Sequence, residues 1–431
     1  MVSRACLRRA GLLALVLAFS GVVLSSAWAE NTAIVPVPRN DNGWMARHQS
    51  FNDRVKQGNV DLLFIGDSIT HGWEGAGKEV WAQYYANRNA VNLGIGGDKT
   101  EHVLWRLDNG NIDNIKPKLA VIMIGTNNCR ANTAAEIAEG VDAIVKKLRT
   151  RLPEMRILLL AIFPRTDVDA ETQQKIKDAS AKFSADLAGD PMVEFKDIGK
   201  AFLNEKGELT KDIMPDLLHP NQKGYALEAE AIEPAITRLL AVADGWTALF
   251  NGKDLTGWEA VGGKSSWNVA DGILYTEGAG GAWLSTAREY ADFDLSVEFK
   301  VPEGGNSGVF IRAPRAGNPA FEGSEIQVLD DYADQYKDLK PYQYCGSVYS
   351  TIAATPRVTK PFGQWQKMDI HIQGQKITVT LNGTKVVDGD LSEHMDKVAD
   401  HPGLKRTSGF IGLQDHSSRL DYRNVLIREI K

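Results

Sequence analysis

Residues 64–70 read FIGDSIT, an apolar run that ends on a glycine and is followed at once by an acid and a serine. The run belongs to a predicted strand at Asp61–Gly66, so Ser68 stands directly behind a buried strand. Open α/β sheets hold their functional sites at the carboxyl ends of parallel strands. The sequence therefore puts Ser68 where such a domain would carry its chemistry.

The sequence around this motif alternates short apolar runs with longer stretches of helical periodicity, as a parallel sheet covered on both faces requires. Further strands are predicted at Ala90–Leu93, Leu119–Gly125, Arg156–Ile162 and Val193–Phe195. A capping box at Thr133–Glu136 predicts a helix that runs to about Leu152, and another helix is predicted from about Asn221 to Val242. Residues 30–243 are therefore predicted to form a three-layer, flavodoxin-like α/β domain.

After residue 245 the sequence changes to short β-branched and aromatic runs separated by glycines. Examples are Val309–Arg312, Glu325–Leu329, Lys376–Leu381 and Phe410–Gln414. The dipeptide Asn382-Gly383, set between two such runs, is a strong signal for a tight β-hairpin. Residues 246–431 are therefore predicted to form an all-β sandwich or jelly roll.

The first 29 residues have the pattern of a secretory signal peptide. Arg4, Arg8 and Arg9 precede an apolar run from Gly11 to Leu24, and small residues end the segment at Ala29. A retained membrane anchor is the alternative, but the uncharged run is shorter than the roughly 20 residues that span a bilayer. We therefore expect cleavage after Ala29 and an exported protein, periplasmic or extracellular, without a stable membrane anchor. The export route, general secretory or twin-arginine, stays open.

Charge and cysteine content exclude several classes of function. Loss of residues 1–29 removes three arginines and no acid, which takes the formal net charge from -6 to -9. A protein this acidic has no electrostatic footprint for nucleic acid. Cys129 and Cys345 then remain, one in each predicted domain, and are expected to be buried thiols rather than a disulfide framework. Neither cysteine has partners at the spacing of a zinc site.

A base for Ser68 is found near the end of the first domain, where residues 216–220 read DLLHP. A serine hydroxyl can attack only if a base removes its proton, and His219 can do so. Asp216, three residues earlier, can orient the ring and stabilise its protonated form. Two further loops follow predicted strands: residues 92–98, NLGIGGD, can offer a backbone N–H, and residues 125–128, GTNN, a carboxamide.

These blocks, in this order, resemble the SGNH (GDSL) hydrolase family, and within it the platelet-activating factor acetylhydrolase group. The resemblance covers about Asn59 to Leu240. It implies Ser68 as nucleophile, His219 as base and Asp216 as its orienting acid. It also implies an oxyanion hole made by the Ser68 and Gly97 N–H groups and the Asn127 amide, with no metal and no cofactor. His71 is expected to line the pocket, and Asp67 to support the nucleophile structurally.

The substrate is open at the level of the sequence. Members of the resembled family cleave acetyl groups from sugars, lipid esters and thioesters. The export signal and the sandwich favour a carbohydrate acetyl ester, with a lipid ester of the lysophospholipid or acetylhydrolase type as the alternative. A second alternative is a catalytically inactive glycan-binding protein, against which the intact motif blocks argue.

The second half resembles the 3-keto-disaccharide hydrolase domain family, which implies a concanavalin-like sandwich. The matching stretches are residues 249–258 (LFNGKDLTGW), 306–312 (NSGVFIR), 325–330 (EIQVLD) and 412–416 (GLQDH). Two interpretations compete: an enzyme that cleaves a glycosidic bond, or a module that only holds a glycan near the esterase. Whether this domain needs a cofactor is likewise open.

Strand alternation suggests a sugar site on this domain. Residues two apart in a strand share a face, so Glu325 and Gln327 should point away from the core row of Ile326 and Val328. The same alternation is expected in the runs Val309–Arg312 and Phe410–Gln414. The predicted substrate-binding set is Arg312, Glu325, Gln327, Gln414 and His416. The alternative is an ordinary solvated face.

Overall fold

The computed structural model describes residues 30–263 and 266–431 of the chain. The segment predicted to be a signal peptide, residues 1–29, lies outside the described residues. Within the described ranges, no helix is both long enough and apolar enough to cross a membrane.

The first half of the described chain is a parallel sheet with helices on both faces. Its strands are β1 Leu62–Gly66, β2 Ala90–Gly94, β3 Leu119–Met123, β4 Arg156–Leu160 and β5 Val193–Lys196. They pair in the order β2-β1-β3-β4-β5, and every pair is parallel. The helices are α1 Asn42–Val55, α2 Ser68–His71, α3 Lys78–Tyr84, α4 Thr100–Asp108, α5 Ala134–Arg151, α6 Ala170–Leu187 and α7 Gln222–Ala243. The predicted α/β fold is confirmed.

The strand β1 shows how the apolar run shapes this domain. All of its residues are buried. Leu63 and Ile65 join one apolar cluster with side chains of α4 and α5, whereas Leu62 and Phe64 join another with side chains of α7. Successive side chains of a strand point to opposite faces, so a strand between two helical layers must be apolar throughout.

The helix boundaries follow the capping signals in the sequence. The Thr133 hydroxyl accepts a hydrogen bond from the Glu136 N–H at 3.3 Å, and Glu136 Oε2 accepts one from the Thr133 N–H at 2.8 Å. This is the predicted capping box of α5. The side chain of Asn221 caps α7 by accepting from the Gly224 N–H at 3.1 Å. Satisfied N-terminal donors explain why both helices begin where the sequence predicts.

The second half is an antiparallel sandwich, as predicted. Its strands are β6 Thr247–Ala248, β7 Trp258–Gly262, β8 Trp267–Ala270, β9 Ile273–Thr276, β10 Ala282–Thr286, β11 Phe293–Lys300, β12 Asn306–Ala313, β13 Ser324–Leu329, β14 Gln366–Gln373, β15 Lys376–Leu381, β16 Thr384–Asp390, β17 Phe410–Asp415 and β18 Leu420–Glu429. One sheet has the order β13-β12-β17-β10-β7, and the other the order β16-β15-β14-β11-β18-β9-β8, with β6 paired to β18. A single apolar cluster contains side chains from both sheets. A short helix, α8 Pro319–Glu322, precedes β13.

Of two local features of the sandwich, one was predicted from the sequence and one was not. The hairpin at Asn382-Gly383 is present: both residues have positive φ, and Leu381 pairs with Thr384 across the turn. A shift of register in β12 between Phe310 and Ala313 was not predicted. Such a bulge changes the direction in which a side chain points. Here the side chain affected is that of Arg312.

Candidate active site

Ser68 is the first residue of α2 and follows closely on β1. Asp67 caps this helix, because its Oδ1 accepts a hydrogen bond from the Ile69 N–H at 3.0 Å. Gly66, the last residue of β1, has no room for a side chain, since a Cβ there would lie 2.4 Å from the carbonyl oxygen of Met123. The strand, the cap and the glycine together hold the serine at the carboxyl edge of the sheet.

His219 reaches Ser68 across 151 positions of sequence. Its Nε2 lies 2.8 Å from the Ser68 Oγ, and its Nδ1 lies 2.6 Å from Asp216 Oδ2. Both are hydrogen-bond distances. The structure thus brings the predicted nucleophile, base and acid into one connected chain of contacts. With the proton on Nδ1, the ring donates to the carboxylate and leaves Nε2 free to accept from the serine.

The loop that carries His219 is held by its own aspartate. Asp216 Oδ1 accepts from the backbone N–H groups of Leu218 at 3.1 Å and His219 at 2.7 Å. Leu217 between them has φ +62°, a left-handed conformation that is uncommon for leucine. The Thr166 N–H donates to the Leu217 carbonyl at 3.1 Å, which helps to fix that conformation from a neighbouring loop.

The charge state of Asp216 suits a partner of the imidazole. Burial by itself would raise the pKa of this carboxyl, but the hydrogen bonds from the His219 ring and from the backbone N–H groups of His219 and Leu218 outweigh it. Together they lower the pKa of Asp216 to about 2. The carboxylate therefore stays negative at any ordinary pH and can stabilise a protonated ring beside it.

The residues predicted to form the oxyanion hole keep unused hydrogen-bond donors. Neither the Ser68 N–H nor the Gly97 N–H has a hydrogen-bond acceptor among the described residues. The Asn127 side chain lies beside the same loop and donates one N–H to the Asp98 carbonyl at 2.9 Å, which leaves its second N–H available. The predicted oxyanion donors thus have unused donor capacity, as a site that receives an anion requires.

The loop that bears Gly97 is anchored by a buried aspartate. Asp98 is fully buried, and its carboxylate accepts from Trp44 Nε1 at 2.6 Å and from Arg106 Nε at 2.9 Å. Arg106 is also fully buried and donates to the Asn111 amide oxygen at 2.8 Å. A buried charge pair with further hydrogen bonds holds its partners in one arrangement. None of these residues stood out in the sequence except as part of the motif blocks.

Two arginines hold carbonyl groups of the same loop. Arg39 Nη1 donates to the Gly96 carbonyl at 2.6 Å, and Arg47 Nε donates to the Gly94 carbonyl at 2.8 Å. Neither arginine was predicted from the sequence. No local pattern marks them, because their partners lie 57 and 47 positions further along the chain.

His71 has a more specific position than the pocket-lining role predicted for it. Its Nδ1 lies 3.3 Å from the Gly96 N–H, which donates to it. Burial, followed by the nearby charge of Arg47, lowers the pKa of His71. The ring is therefore neutral at ordinary pH and can act as an acceptor that holds the glycine loop beside Ser68.

Asp67 lies next to the nucleophile but points away from solvent. It is fully buried, and its Oδ2 has no hydrogen-bond partner among the described residues. Burial, only partly opposed by the hydrogen bond from the Ile69 N–H, raises the pKa of Asp67 to about 7. The residue caps α2 from the interior, in keeping with the structural role expected for it.

In the second domain, the position of Arg312 corrects the prediction that it shares a polar face with Glu325. Arg312 has φ +50°, and it lies within the bulge of β12. Its guanidinium donates to the carbonyls of Ala291 at 3.0 Å and Gly374 at 2.7 Å, and pairs with Asp292 at 2.8 Å. The bulge turns the side chain into a buried structural contact, so it is not available to a ligand.

Glu325 and Gln327 alternate with core residues as predicted, but they are buried rather than solvated. Gln327 Nε2 donates to Asn306 Oδ1 at 2.8 Å. Glu325 packs over Gly308, where a Cβ would lie 2.1 Å from its Oε1. Burial raises the pKa of Glu325 to about 8, so its carboxyl group is mostly protonated at neutral pH.

Gln414 and His416 lie together at a small cavity of about 240 Å³. Its remaining lining residues are Gly281, Ala282, Trp283, Phe310, Asn318, Pro319 and Asp415. The Gln414 Oε1 atom is buried and has no hydrogen-bond partner among the described residues. Of the predicted sugar-binding set, these two are the residues that the structure brings to a common opening.

The structure also locates the two cysteines and the groups able to bind metals. Cys129 and Cys345 are both buried free thiols. In the part of the chain that the structure describes, no group of three or more His, Cys, Asp or Glu side chains is arranged to hold a metal ion.

Comparisons with known proteins match the two halves of the chain to two different families. Residues 64–227 match the family model of the GDSL-like Lipase/Acylhydrolase family, and residues 245–428 match that of the 3-keto-alpha-glucoside-1,2-lyase-like domain. The alpha1 subunit of platelet-activating factor acetylhydrolase IB from Homo sapiens is 34% identical over 220 residues. That alignment covers 50% of this chain and 94% of the human subunit.

Two solved structures are also similar to parts of the chain. A protein from Parabacteroides distasonis described as a glycosyl hydrolase is 27% identical, with a TM-score of 0.39, over 44% of this chain and 96% of its own. A GDSL-like lipase from Bacteroides thetaiotaomicron is 20% identical, with a TM-score of 0.38, over 44% of this chain and 96% of its own.

Proposed function

The chain belongs to the GDSL-like lipase/acylhydrolase family, and from that membership we propose that it is an exported serine esterase that removes acetyl or other short acyl groups from carbohydrate. One observation carries the proposal: Ser68 Oγ lies 2.8 Å from His219 Nε2, and His219 Nδ1 lies 2.6 Å from Asp216 Oδ2. A serine becomes a nucleophile where a base can take its proton and a third group holds that base.

In the proposed reaction, Ser68 Oγ bonds to the acyl carbon while its proton passes to His219 Nε2. The carbonyl oxygen becomes negative and accepts hydrogen bonds from the Ser68 and Gly97 N–H groups and from the Asn127 amide. His219 then protonates the departing sugar oxygen, which leaves as an alcohol. Water, activated by the same base, releases the acyl group as a carboxylate and restores Ser68. Asp216 keeps the proton on Nδ1 and stabilises the imidazolium.

The exposure of the site supports a large or polar ester. The side chains of Asp216 and His219 are 56% and 41% exposed. An ester group carried by a sugar chain could therefore approach Ser68 without entering an enclosed tunnel. The match of the second half to the 3-keto-alpha-glucoside-1,2-lyase-like domain also favours a carbohydrate context.

The test compares acetylated oligosaccharides with a small aryl acetate, using residues 30–431 and its Ser68→Ala variant. The wild-type protein is expected to hydrolyse both, and the variant neither, while the variant's circular dichroism and melting profile stay unchanged. The Ser68 side chain is only partly buried, so its hydroxyl adds little to the core. Equal turnover by both proteins would refute the triad, and no turnover by either would favour a glycan-binding protein.

A lipid ester is the alternative substrate of the first domain. The human relative is named for platelet-activating factor, an acetylated lipid, and it aligns over nearly its whole length. A short-chain acetyl phospholipid belongs in the same assay. If kcat/KM is higher for the lipid than for every acetylated sugar, the substrate is a lipid ester and not a carbohydrate ester. The proposed serine mechanism would be unaffected.

For the second domain we propose a glycoside-binding or glycoside-cleaving role at the cavity shared by Gln414 and His416. The observation that favours it is the buried, unpartnered Gln414 Oε1 beside an exposed histidine and the aromatic ring of Trp283. A buried acceptor without a partner is costly unless a ligand or water satisfies it. Aromatic rings and convergent polar groups are the usual composition of small-molecule sites.

The test replaces Gln414 and His416 by alanine, one at a time, in the full mature chain. Binding and turnover of glycosides, including 3-keto glycosides, are expected to fall in both variants. His371→Ala is the matched control, since this exposed histidine lies on β14 of the other sheet. If both cavity variants behave like that control, the cavity is not a sugar site.

A further inference from the structure

We propose that Arg39 is a positioning residue for the oxyanion hole, which orients and polarises the peptide between Gly96 and Gly97. The inference rests on the proposed esterase function and extends it. Arg39 lies outside the motif blocks, three residues before α1, and nothing in the family match from residue 64 onward includes it.

Arg39 contacts the peptide group between Gly96 and Gly97. Arg39 Nη1 donates to the Gly96 carbonyl at 2.6 Å. In a planar trans peptide the C=O of one residue and the N–H of the next point in opposite directions. Fixing the Gly96 carbonyl therefore fixes the direction of the Gly97 N–H, the donor that has no acceptor among the described residues.

The guanidinium of Arg39 also lies close to Gly97. A Cβ at this position would lie 3.1 Å from Arg39 Nη1, and Gly97 has φ +79°. Both facts favour glycine, one by space and the other by backbone conformation. The cation thus lies directly against the backbone of the proposed oxyanion donor.

Arg39 is itself held in place by two carboxylates. Its Nη2 lies 3.1 Å from Asp41 Oδ2, and its Nη1 lies 3.7 Å from the buried Asp98 Oδ1. The Arg39 side chain is 30% exposed. These contacts occupy the guanidinium with the protein's own groups, so the geometry assigns it to the loop rather than to direct contact with substrate.

The expected consequence for catalysis is electrostatic. A charge-assisted hydrogen bond to a carbonyl polarises the whole peptide and makes its N–H a stronger donor. The gain is larger when the acceptor is a full oxyanion than when it is a neutral ester carbonyl. Arg39 should therefore affect the transition state more than the bound substrate, and kcat more than KM.

The experiment measures kcat and KM for an aryl acetate in the full mature chain with Arg39→Ala and Arg39→Lys. For Arg39→Ala we expect kcat to fall about tenfold, less than the 10²–10³ typical of losing an oxyanion donor itself, with KM within about twofold. An arylboronate, which forms a tetrahedral adduct with a serine, should bind weaker by a similar factor. Added guanidinium ion should restore part of the rate of Arg39→Ala. The kcat of Arg39→Lys should lie between those of the wild type and Arg39→Ala.

Arg54→Ala is the matched control. Arg54 also donates to backbone carbonyls, those of Gly58 at 2.9 Å and Asn59 at 3.2 Å, but at the opposite end of α1. We expect it to match the wild type in kcat and in boronate affinity. A merely structural role for Arg39 would lower melting temperature and activity together and would show no rescue by guanidinium.

Three results would overturn the assignment. They are an unchanged kcat in a folded Arg39→Ala variant, a loss confined to KM, or unaltered boronate binding. If Arg39→Ala does not fold, Arg39→Gln, which can still donate to the Gly96 carbonyl without a charge, carries the same test of kcat. The esterase proposal is judged separately, because it fails if Ser68→Ala retains wild-type turnover or if the wild-type protein itself hydrolyses no ester.

Discussion

At the scale of single residues, the site consists of ordinary side chains whose properties come from their neighbours. The Asp216 carboxylate is kept ionised by three hydrogen bonds, two of them from backbone N–H groups of its own loop. His71, by contrast, is kept neutral by burial and by the charge of Arg47. The two histidines near Ser68 therefore differ in their partners, and of the two only His219 has a carboxylate against its ring among the described residues.

The pH dependence of turnover follows from these partners. Hydrolysis of an aryl acetate should rise with pH along a limb of one proton, because His219 must be unprotonated to accept the Ser68 proton. Asp216 should add no second limb. Its pKa, raised by burial but lowered more by its hydrogen bonds, is about 2, so the carboxylate is lost only when the pH falls to that value. The measurement is kcat/KM from about pH 4 to pH 9.

Asp216→Asn serves as the comparison for this profile. An amide cannot hold the imidazole with its proton on Nδ1 or stabilise its cation, so turnover should fall by roughly 10³–10⁴. A wild-type kcat/KM that stays constant from about pH 4 to pH 9 would contradict the role of His219 as base.

At the scale of secondary-structure elements, a few residues outside the common backbone regions direct the important side chains. Leu217, at φ +62°, turns the chain between Asp216 and His219, where the carboxylate meets Nδ1 of the ring while Nε2 meets Ser68. Arg312, at φ +50°, lies in the bulge of β12. The bulge turns its guanidinium away from the face of Glu325, so Arg312 does not join the predicted sugar site. Such positions are recognisable from backbone geometry but carry no clear mark in the sequence when glycine is not used.

The hairpin between β15 and β16 offers a test of one such element. Gly383 has φ +82°, and a Cβ there would meet nothing within 4 Å. Gly383→Ala should therefore destabilise the sandwich by about 1–2 kcal/mol through backbone conformation alone. Scanning calorimetry of the mature chain should show one transition moved to lower temperature and esterase activity at room temperature unchanged.

Gly189→Ala is the control for that substitution. A Cβ at Gly189 likewise meets nothing within 4 Å, but its φ is not in the left-handed region. The melting profile should stay at the wild-type position or rise slightly, because alanine restricts the unfolded chain. An equal downward shift in both variants would mean that the added methyl group, and not the positive φ of Gly383, explains the result.

At the scale of the whole molecule, export remains a prediction from the first 29 residues. Protein recovered from cells that express the complete gene should begin at Glu30, and mass spectrometry of the intact chain would measure this. Replacing Ala27 and Ala29 by arginine should block cleavage, because signal peptidases require small residues at these places. Recovery of uncleaved protein from the cytoplasm of the wild type would contradict the prediction.

The sequence by itself determined both fold classes, the capping box of α5, the hairpin at Asn382-Gly383 and the residues that meet at Ser68. The fold classes, the capping box and the hairpin follow from information that is local in the chain, whereas the joining of His219 and Asp216 to Ser68 is what the resemblance to the SGNH hydrolases implies. Apolar periodicity, caps and turn residues act over a few positions, and the loops after β1, β2 and β3 must share one edge of a parallel sheet. Strand alternation likewise assigned Glu325 and Gln327 to the side opposite the core row.

Only the tertiary structure decided which of the predicted polar residues are occupied by contacts within the fold and which are left open at a cavity. Arg39 meets Gly96 across 57 positions, and the bulge in β12 commits Arg312 to Asp292 and Gly374. Glu325 became a buried acid and Gln414 an unpartnered amide in a cavity. The physical reason is that burial and hydrogen-bond partners depend on which distant segments pack together. Periodicity within one strand or helix contains no information about that packing.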